Sequence, residues 1–491
     1  MKKFILTIDQ GTTSTRAILF NKWGQQVYKY QMEFTQIRVK AGFVEHNALE
    51  IYETVLECIK NVINGAEVNP KEIDSIAITN QRETTVLFDK SGNPLANAIC
   101  WQSRQSEYIA KDYIEKGYTD FIFKKTGLKI NSYFSATKIK YLLENNENVR
   151  KHYDEDDCLF GTIDTFLLYK LTKGKSFYTD ATNASRTLLY NINTLEWDRE
   201  LLDLFNIKKS ILPEVLSNNS CFGYMDLFGE SVPICSMIGD QQASLFGHTA
   251  FNKGDIKNTY GTGCFMLMNI GDKPIYSSNG LLTTIAYMID NKPTYALEGS
   301  VFVAGAQVTW LRDGLKIIKS SKETFERASL QEGHDLIIVP AFQGLGTPYW
   351  DSEARGAMFG MTFNTTQESI IKACLEAICY QSKDLMEVMI KETNEHQISL
   401  SVDGGASEND YLLQFQSDIL QSVIKRPRQI ETTALGASYI AGLFTNFFES
   451  SDYLKKINEI DKYFYPIIDK TEADKLYSRW LKAVEACRMF K

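Results

Sequence analysis

Three strings in this 491-residue chain carry residues suited to handling phosphate. Residues 4–20 read FILTIDQGTTSTRAILF, an apolar run, an Asp, a Gly/Thr/Ser turn and a second apolar run. Consecutive N–H groups in such a turn, with the hydroxyls of Thr12, Thr13 and Ser14, form a concave donor surface for phosphate oxygens. Arg16 adds a charge-assisted donor, and Asp9 is placed to hold a hydrated Mg2+ through its carboxylate. Residues 255–270 repeat the pattern as DIKNTYGTGCFMLMNI, with Gly261, Thr262 and Gly263 at the turn. Residues 400–420, LSVDGGASENDYLLQFQSDIL, read as a short strand, a Gly404-Gly405 turn and a helix starting near Asn409. Two adjacent glycines let backbone approach a flat ligand such as adenine with no Cβ in the way. Any one of these strings alone is also what a plain turn needs. The three in this order point to a bound nucleotide.

Two further positions could do chemistry. Residues 234–247, ICSMIGDQQASLFG, read as a strand ending at Gly239 and a helix opening at Asp240. An Asp there is an ordinary helix N-cap unless it faces the phosphate turn. Arg82 and Glu83 follow a strand over Ser75–Thr79. An adjacent Arg-Glu is commonly a solvated surface pair. Facing a cleft, it would present a donor and an acceptor side by side.

The elements that must position these groups alternate between strands and helices, such as 49–64 and 367–391, which argues for an α/β architecture. Two similar hairpins far apart in the chain predict two similar halves facing one cleft, with a boundary near His248. The length allows two or three domains, each with its own core. A net charge of −8 argues against nucleic acid or an anionic membrane as the main partner. The apolar run after MKK is too short for a signal peptide, and no later one approaches about 18 residues, so stable membrane insertion is not expected. Nine scattered cysteines without a CxxC pair indicate neither a disulfide framework nor a zinc site, and suggest a reducing, cytoplasmic compartment. The five histidines (46, 152, 248, 334 and 396) show no ligand spacing. For His46 a structural hydrogen bond is the expected job.

Longer strings narrow the reading. DQGTTSTR (9–16), ITNQRETT (78–85), YFSATK (133–138), GDQQASLFG (239–247) and NTYGTGCFMLMN (258–269) resemble the FGGY carbohydrate-kinase family, within the actin/hexokinase/Hsp70-like ATPase superfamily. The resemblance covers almost the whole chain and is strongest to members that phosphorylate glycerol. It implies two actin-like (ribonuclease H-like) domains, 1–247 and 248–491, flanking an ATP and substrate cleft. It implies Mg2+ and ATP as cofactors, glycerol as substrate, and a homodimer or homotetramer. Carried over residue by residue, Asp240 is the general base and, with Asp9, a metal ligand, while Gln241 positions the substrate. Arg82, Glu83 and Tyr133 hydrogen-bond the polyol, Trp101 and Phe265 are its aromatic walls, and Thr12 lies against both substrate and phosphate. The nucleotide falls to Thr12, Thr13, Ser14, Arg16, Thr262, Gly305, Thr309, Gly405 and Asn409. Thr309 departs from the Gln common in the family, and Tyr141 from its Trp. A kinase of a larger sugar or polyol would carry other residues at 82, 83 and 133. A non-catalytic nucleotide switch would have no use for them.

Overall fold

A computed structural model describes residues 2–331, 333–351, 353–395 and 399–490. His396 lies outside the described residues.

The first half is built on β1 (Phe4–Gln10), whose near-continuous apolar run suits a central strand and is buried beyond Phe4. It pairs antiparallel with β2 (Ser14–Asn21), and β2 antiparallel with β3 (Gln26–Glu33). On its other side it runs parallel to β4 (Ile73–Asn80). Strand β6 (Glu230–Gly239) is parallel to β4, with β5 (Gly223–Leu227) antiparallel at the edge. Between β3 and β4 runs α1 (Ala48–Gly65). Its Ile51, Val55, Cys58, Ile59 and Val62 recur at helical spacing and bury a stripe against β2 and β3. Asn47 caps it, accepting from the N–H groups of Leu49 and Glu50. Directly after β6 comes α2 (Asp240–Gly247).

The second sheet contains β7 (Ile256–Tyr260), β8 (Cys264–Gly271), β9 (Leu282–Ile289), β10 (Lys292–Val301), β11 (Ser399–Asp403), β12 (Val423–Pro427) and β13 (Ile460–Phe464). Its inner order β10-β8-β7-β11-β12 matches β3-β2-β1-β4-β6 of the first, antiparallel and parallel pairings included. The duplication expected from the two hairpins is therefore a duplication of whole five-strand units. The long helix α3 (Gln367–Thr393), α4 (Asp410–Leu420) and α5 (Thr432–Phe444) complete this half.

Sequence position and spatial position part company at α5. It comes late in the chain, yet it packs on α2 and on β1, β4 and β6 of the first sheet. Ala77 and Ile238 from one half and Leu267 and Ala296 from the other join it in a single apolar cluster. The helices α2 and α5 cross with backbone against backbone. A Cβ at Gly436 would fall 1.8 Å from Ala243 O, and one at Gly247 would fall 2.0 Å from Thr432 O. Ala normally gains about 1 kcal/mol over Gly inside a helix. Here overpacking of about 1–3 kcal/mol opposes that gain and exceeds it. Gly436→Ala should therefore lower the thermal midpoint in scanning calorimetry, and an unchanged or raised midpoint would show that the crossing relaxes freely.

Candidate active site

The first phosphate-type turn, residues 11–13, joins β1 to β2 and is closed by Gly11 N–H donating to Ser14 O at 2.9 Å. Thr13 is exposed and Thr12 half-buried, so the turn presents its edge. Thr12 Oγ1 accepts from Trp101 Nε1 at 2.8 Å. Behind the turn, Gln36 Nε2 donates to Thr12 O at 3.0 Å, and Gln36 Oε1 meets His46 Nε2 at 3.0 Å. Ser14 is buried in β2 and its hydroxyl accepts from Gln31. Arg16 Nη1 lies 3.3 Å from Asp9 Oδ2 and 3.1 Å from Glu431 Oε2, so two carboxylates already balance it.

The second turn, Gly261–Gly263, joins β7 to β8. Ala304 and Ala306 donate to Thr262 O at 2.9 and 3.1 Å, and Gly305 N–H donates to Gly261 O at 3.0 Å. A Cβ at Gly305 would lie 2.6 Å from Gly261 O, so glycine permits this approach. Thr309 is exposed, its hydroxyl turned back to Gly305 O at 3.4 Å. At the third turn Gly404 has φ +84° and sits against Tyr260 O, whereas Gly405 has open space on its Cβ side. Asn409 caps α4 through the Leu412 N–H and donates to Thr324 Oγ1, both at 3.1 Å.

Arg82 and Glu83 are buried, which removes the reading of them as a solvated pair. They form two corners of a ring of alternating charge. Arg82 donates twice to Glu298, at 2.7 and 2.9 Å. Arg186 Nη2 donates to Glu298 Oε1 at 3.0 Å and its Nε to Glu83 Oε1 at 2.6 Å. Glu83 Oε1 lies 3.8 Å from Arg82 Nε, closing the ring. Burial alone would raise Glu298, but Arg186 and Arg82 pull it down to about 2, so this carboxylate stays ionised. Glu83 itself sits at φ +61°, a conformation a non-glycine residue holds only when its surroundings impose it. Beside the ring, Trp101 packs edge-on to Tyr133 and to Phe265, with centroids 5.4 and 6.4 Å apart. Phe265 comes from β8 in the second half, so these walls span the two halves. Buried Lys138 donates to the carbonyls of Ser132, Tyr133 and Phe134, which fixes the Tyr133 backbone.

Asp240 opens α2 at the edge of this cluster, with 27% of its side chain exposed. Its Oδ1 accepts from Gln241 N–H at 2.7 Å and lies 3.4 Å from Arg82 Nε. Burial raises its pKa, against the pull of Arg82 and Lys257. Lys257 donates to Gln241 Oε1 at 2.6 Å and to Thr259 Oγ1 at 2.9 Å, and burial lowers it to about 8. Asp9 is raised to about 6, chiefly by burial, with Glu431 and Asp240 adding to it against Arg16. Asp9 feels the negative charge of Asp240, and carboxylate oxygens are the ligand type that Mg2+ takes. Among the described residues no group of three or more His, Cys, Asp or Glu could hold a metal unaided.

The N-terminal domain of the FGGY family of carbohydrate kinases matches residues 4–247, and its C-terminal domain matches residues 256–444. The chain belongs to this family. Over its full length it is 51% identical to glycerol kinases of Bacillus cereus (strain AH187) and Bacillus anthracis (strain CDC 684 / NRRL 3495), covering all of each. A crystal structure of Plasmodium falciparum glycerol kinase with ADP superimposes with a TM-score of 0.93 at 38% identity, covering 99% of this chain and 98% of that one. The expected FGGY architecture is thus present. Sequence reasoning missed Glu298, Arg186 and Lys257. The signal for Glu298 was a lone charge in the strand segment TYALEGSV; Lys257, in DIKNTY, stands among polar residues and gave no such signal.

For this FGGY kinase, the His46–Gln36–Thr12 chain makes a prediction. His46 is fully buried and its Nδ1 has no partner, so a second proton there has nothing to bond. Burial accordingly lowers His46 from 6.5 to about 4. Below pH 6.5 the unfolded chain takes up a proton that the folded one refuses, so stability falls as the pH drops to 4. The loss is at most about 3 kcal/mol. His46→Gln should flatten this part of the pH–stability curve in urea titrations. A curve as steep as the wild type's would assign the acid sensitivity elsewhere.

Proposed function

We propose that this chain transfers the γ-phosphoryl group of ATP to a primary hydroxyl of glycerol, giving ADP and sn-glycerol 3-phosphate. The observation that carries the reading is the placement of a small polar and aromatic niche against Asp240. Arg82, Glu83 and Tyr133 supply donors and acceptors to the niche, while Trp101 and Phe265 close its sides. Aromatic rings contributed by both halves suit the carbon chain of a triol, and buried charges suit its hydroxyls. The glycerol kinases to which the chain is 51% identical support the same substrate.

In this reading Asp240 takes the proton of the attacking hydroxyl. That oxygen bonds to the γ-phosphorus as the bond from γ-phosphorus to the bridging oxygen breaks, and the electron pair leaves on ADP. The transition state is loose, so alignment does most of the work and one correctly placed carboxylate suffices. Its raised pKa makes Asp240 a better proton acceptor near neutrality than an ordinary Asp. Gln241, held by Lys257, borders the same hydroxyl. The turns bearing Thr12, Thr13 and Thr262 flank the phosphates, with Ser14 just inside β2 and Arg16 anchoring Asp9 behind them. Gly305, Thr309, Gly405 and Asn409 surround the nucleoside. Asp9 and Asp240 would hold Mg2+, which when bound offsets the negative charge of the phosphates. Contact between the halves excludes water, the competing acceptor. The nine cysteines are all free, which supports a reducing, cytoplasmic setting, and no described helix is long and apolar enough to cross a membrane.

The test is ADP release by the purified chain with Mg·ATP, with and without glycerol. Release should depend on glycerol, and Asp240→Asn should lower kcat by about 10²–10⁴ with ADP binding retained. Release indifferent to glycerol would replace this reading with a nucleotide switch. Turnover only with a longer sugar would move the substrate class.

A further inference from the structure

We infer that Glu298 is a positioning residue that makes polyol recognition by the first half depend on contact with the second. This rests on the glycerol reading above.

Glu298 is the one charged side chain in the inner part of β10. It is flanked in the sheet by Leu267 of β8 and Leu282 of β9, and its side chain has no exposure. A carboxylate there is tolerable only if fully paired. Both of its partners, Arg82 and Arg186, come from the first half. The ring at the polyol niche is therefore complete only when the two halves are in contact.

An inventory of donors shows what Glu298 does. Arg82 has five N–H groups in a rigid fork. Two on Nη1 go to Glu298 and to Gln242 Oε1, the latter at 3.1 Å, and one on Nη2 goes to Glu298. These bonds fix the plane of the guanidinium and leave one Nη2–H and the Nε–H. The Nε is on the side of Glu83 and Asp240. Arg186 bonds Glu298 with one nitrogen and Glu83 with another, so its planar fork sets the spacing between the two carboxylates. It also lies under the Tyr133 ring, 5.8 Å from its centroid. With Glu298 present, two cations share two anions, and Glu83 keeps acceptor capacity for a hydroxyl. With that charge removed, both guanidinium groups have only Glu83 within the ring. Glu83 is then occupied by cations, and the polyol loses its acceptor while the oriented edge of Arg82 is lost too. Glu298 touches no substrate in this account. It acts through Arg82 and Arg186.

The test uses the full chain with Glu298→Gln and Glu298→Asp, varying glycerol and ATP separately and recording the midpoint shifts given by glycerol and by ADP. In Glu298→Gln the KM for glycerol should rise by at least about 30-fold, while the KM for ATP and the ADP-induced shift stay near wild type. Glu298→Asp restores the charge one methylene short and should fall between the two. A residue that merely holds the sheets together would lower stability and kcat without separating the two KM values, and that result overturns the inference. An unmoved glycerol KM in Glu298→Gln overturns it as well. If Glu298→Gln does not fold, Glu298→Asp decides by the same criterion. A wild type that ignores glycerol defeats the functional reading and this inference with it. A wild type that uses glycerol beside an unmoved variant KM defeats the inference alone.

Discussion

Four charges buried in one ring set the tolerances for the rest of this molecule. Removing an ion from water is expensive, and the cost is offset only when each charge lies against opposite ones. Arg82 and Glu83 must therefore leave β4 at one angle, and Arg186 must arrive from a separate segment at another. The structure meets this with local polar bonds. Asp180 caps the single-turn helix Ala181–Ala184 by accepting from Thr182 and Asn183 N–H. Asn183 and Asn80, the last residue of β4, then exchange amide hydrogen bonds at 3.0 Å in both directions. Arg186, three residues beyond Asn183, is thereby referenced to Arg82, two residues beyond Asn80. The positive φ of Glu83 is held by the same surroundings.

The crossing of α2 and α5 is a constraint of another kind. Backbone meets backbone at Gly247 and Gly436, where a Cβ would clash with the facing carbonyl. Around that approach Leu245 and Phe246 of α2 share an apolar cluster with Leu435 and Tyr439 of α5. The halves also meet farther out, where Glu298 bonds Arg82 and Arg186 and where Trp101 packs on Phe265.

Much of this was legible in the sequence because its causes are local. Gly/Thr turns between apolar runs announce hairpins, and both hairpins are present at 9–16 and 258–269. The helix expected over 367–391 runs to Thr393, and the one over 49–64 gains a residue at each end. Asp240 was placed at a helix start, where it stands. Pairing across the molecule was not legible. Nothing adjacent to Glu298 or Arg186 indicates that they meet, since they are joined only through the fold. The pair Arg82–Glu83 was readable by its resemblance, while its burial was not, because a charged dipeptide ordinarily marks solvent. The first sheet's strands end at Gly239 and the second's begin at Ile256, on either side of the boundary expected near His248. That boundary does not anticipate α5, which returns to the first sheet after crossing the second.

Lys257 joins the two ends of the site through one strand. It sits on β7, which leads into the Gly261–Gly263 turn, and it bonds Gln241 beside Asp240. Its charge is felt by Asp240 on one side and by Asp403 on the other. Asp403 ends β11 immediately before Gly404, and it is bonded by Ser244, His248 and Thr432 from the crossing helices and the segment between the halves. The strand that leads into the Gly261–Gly263 turn therefore also contributes to the field at Asp240, and the residue before Gly404 is tied to the crossing helices. Asp240 is pulled toward ionisation by Arg82 and Lys257 and away from it by burial, with burial the larger effect. Both cations beside Asp240 are held by residues of the opposite half, Arg82 by Glu298 and Lys257 by Gln241, so contact between the halves bears on the ionisation of Asp240.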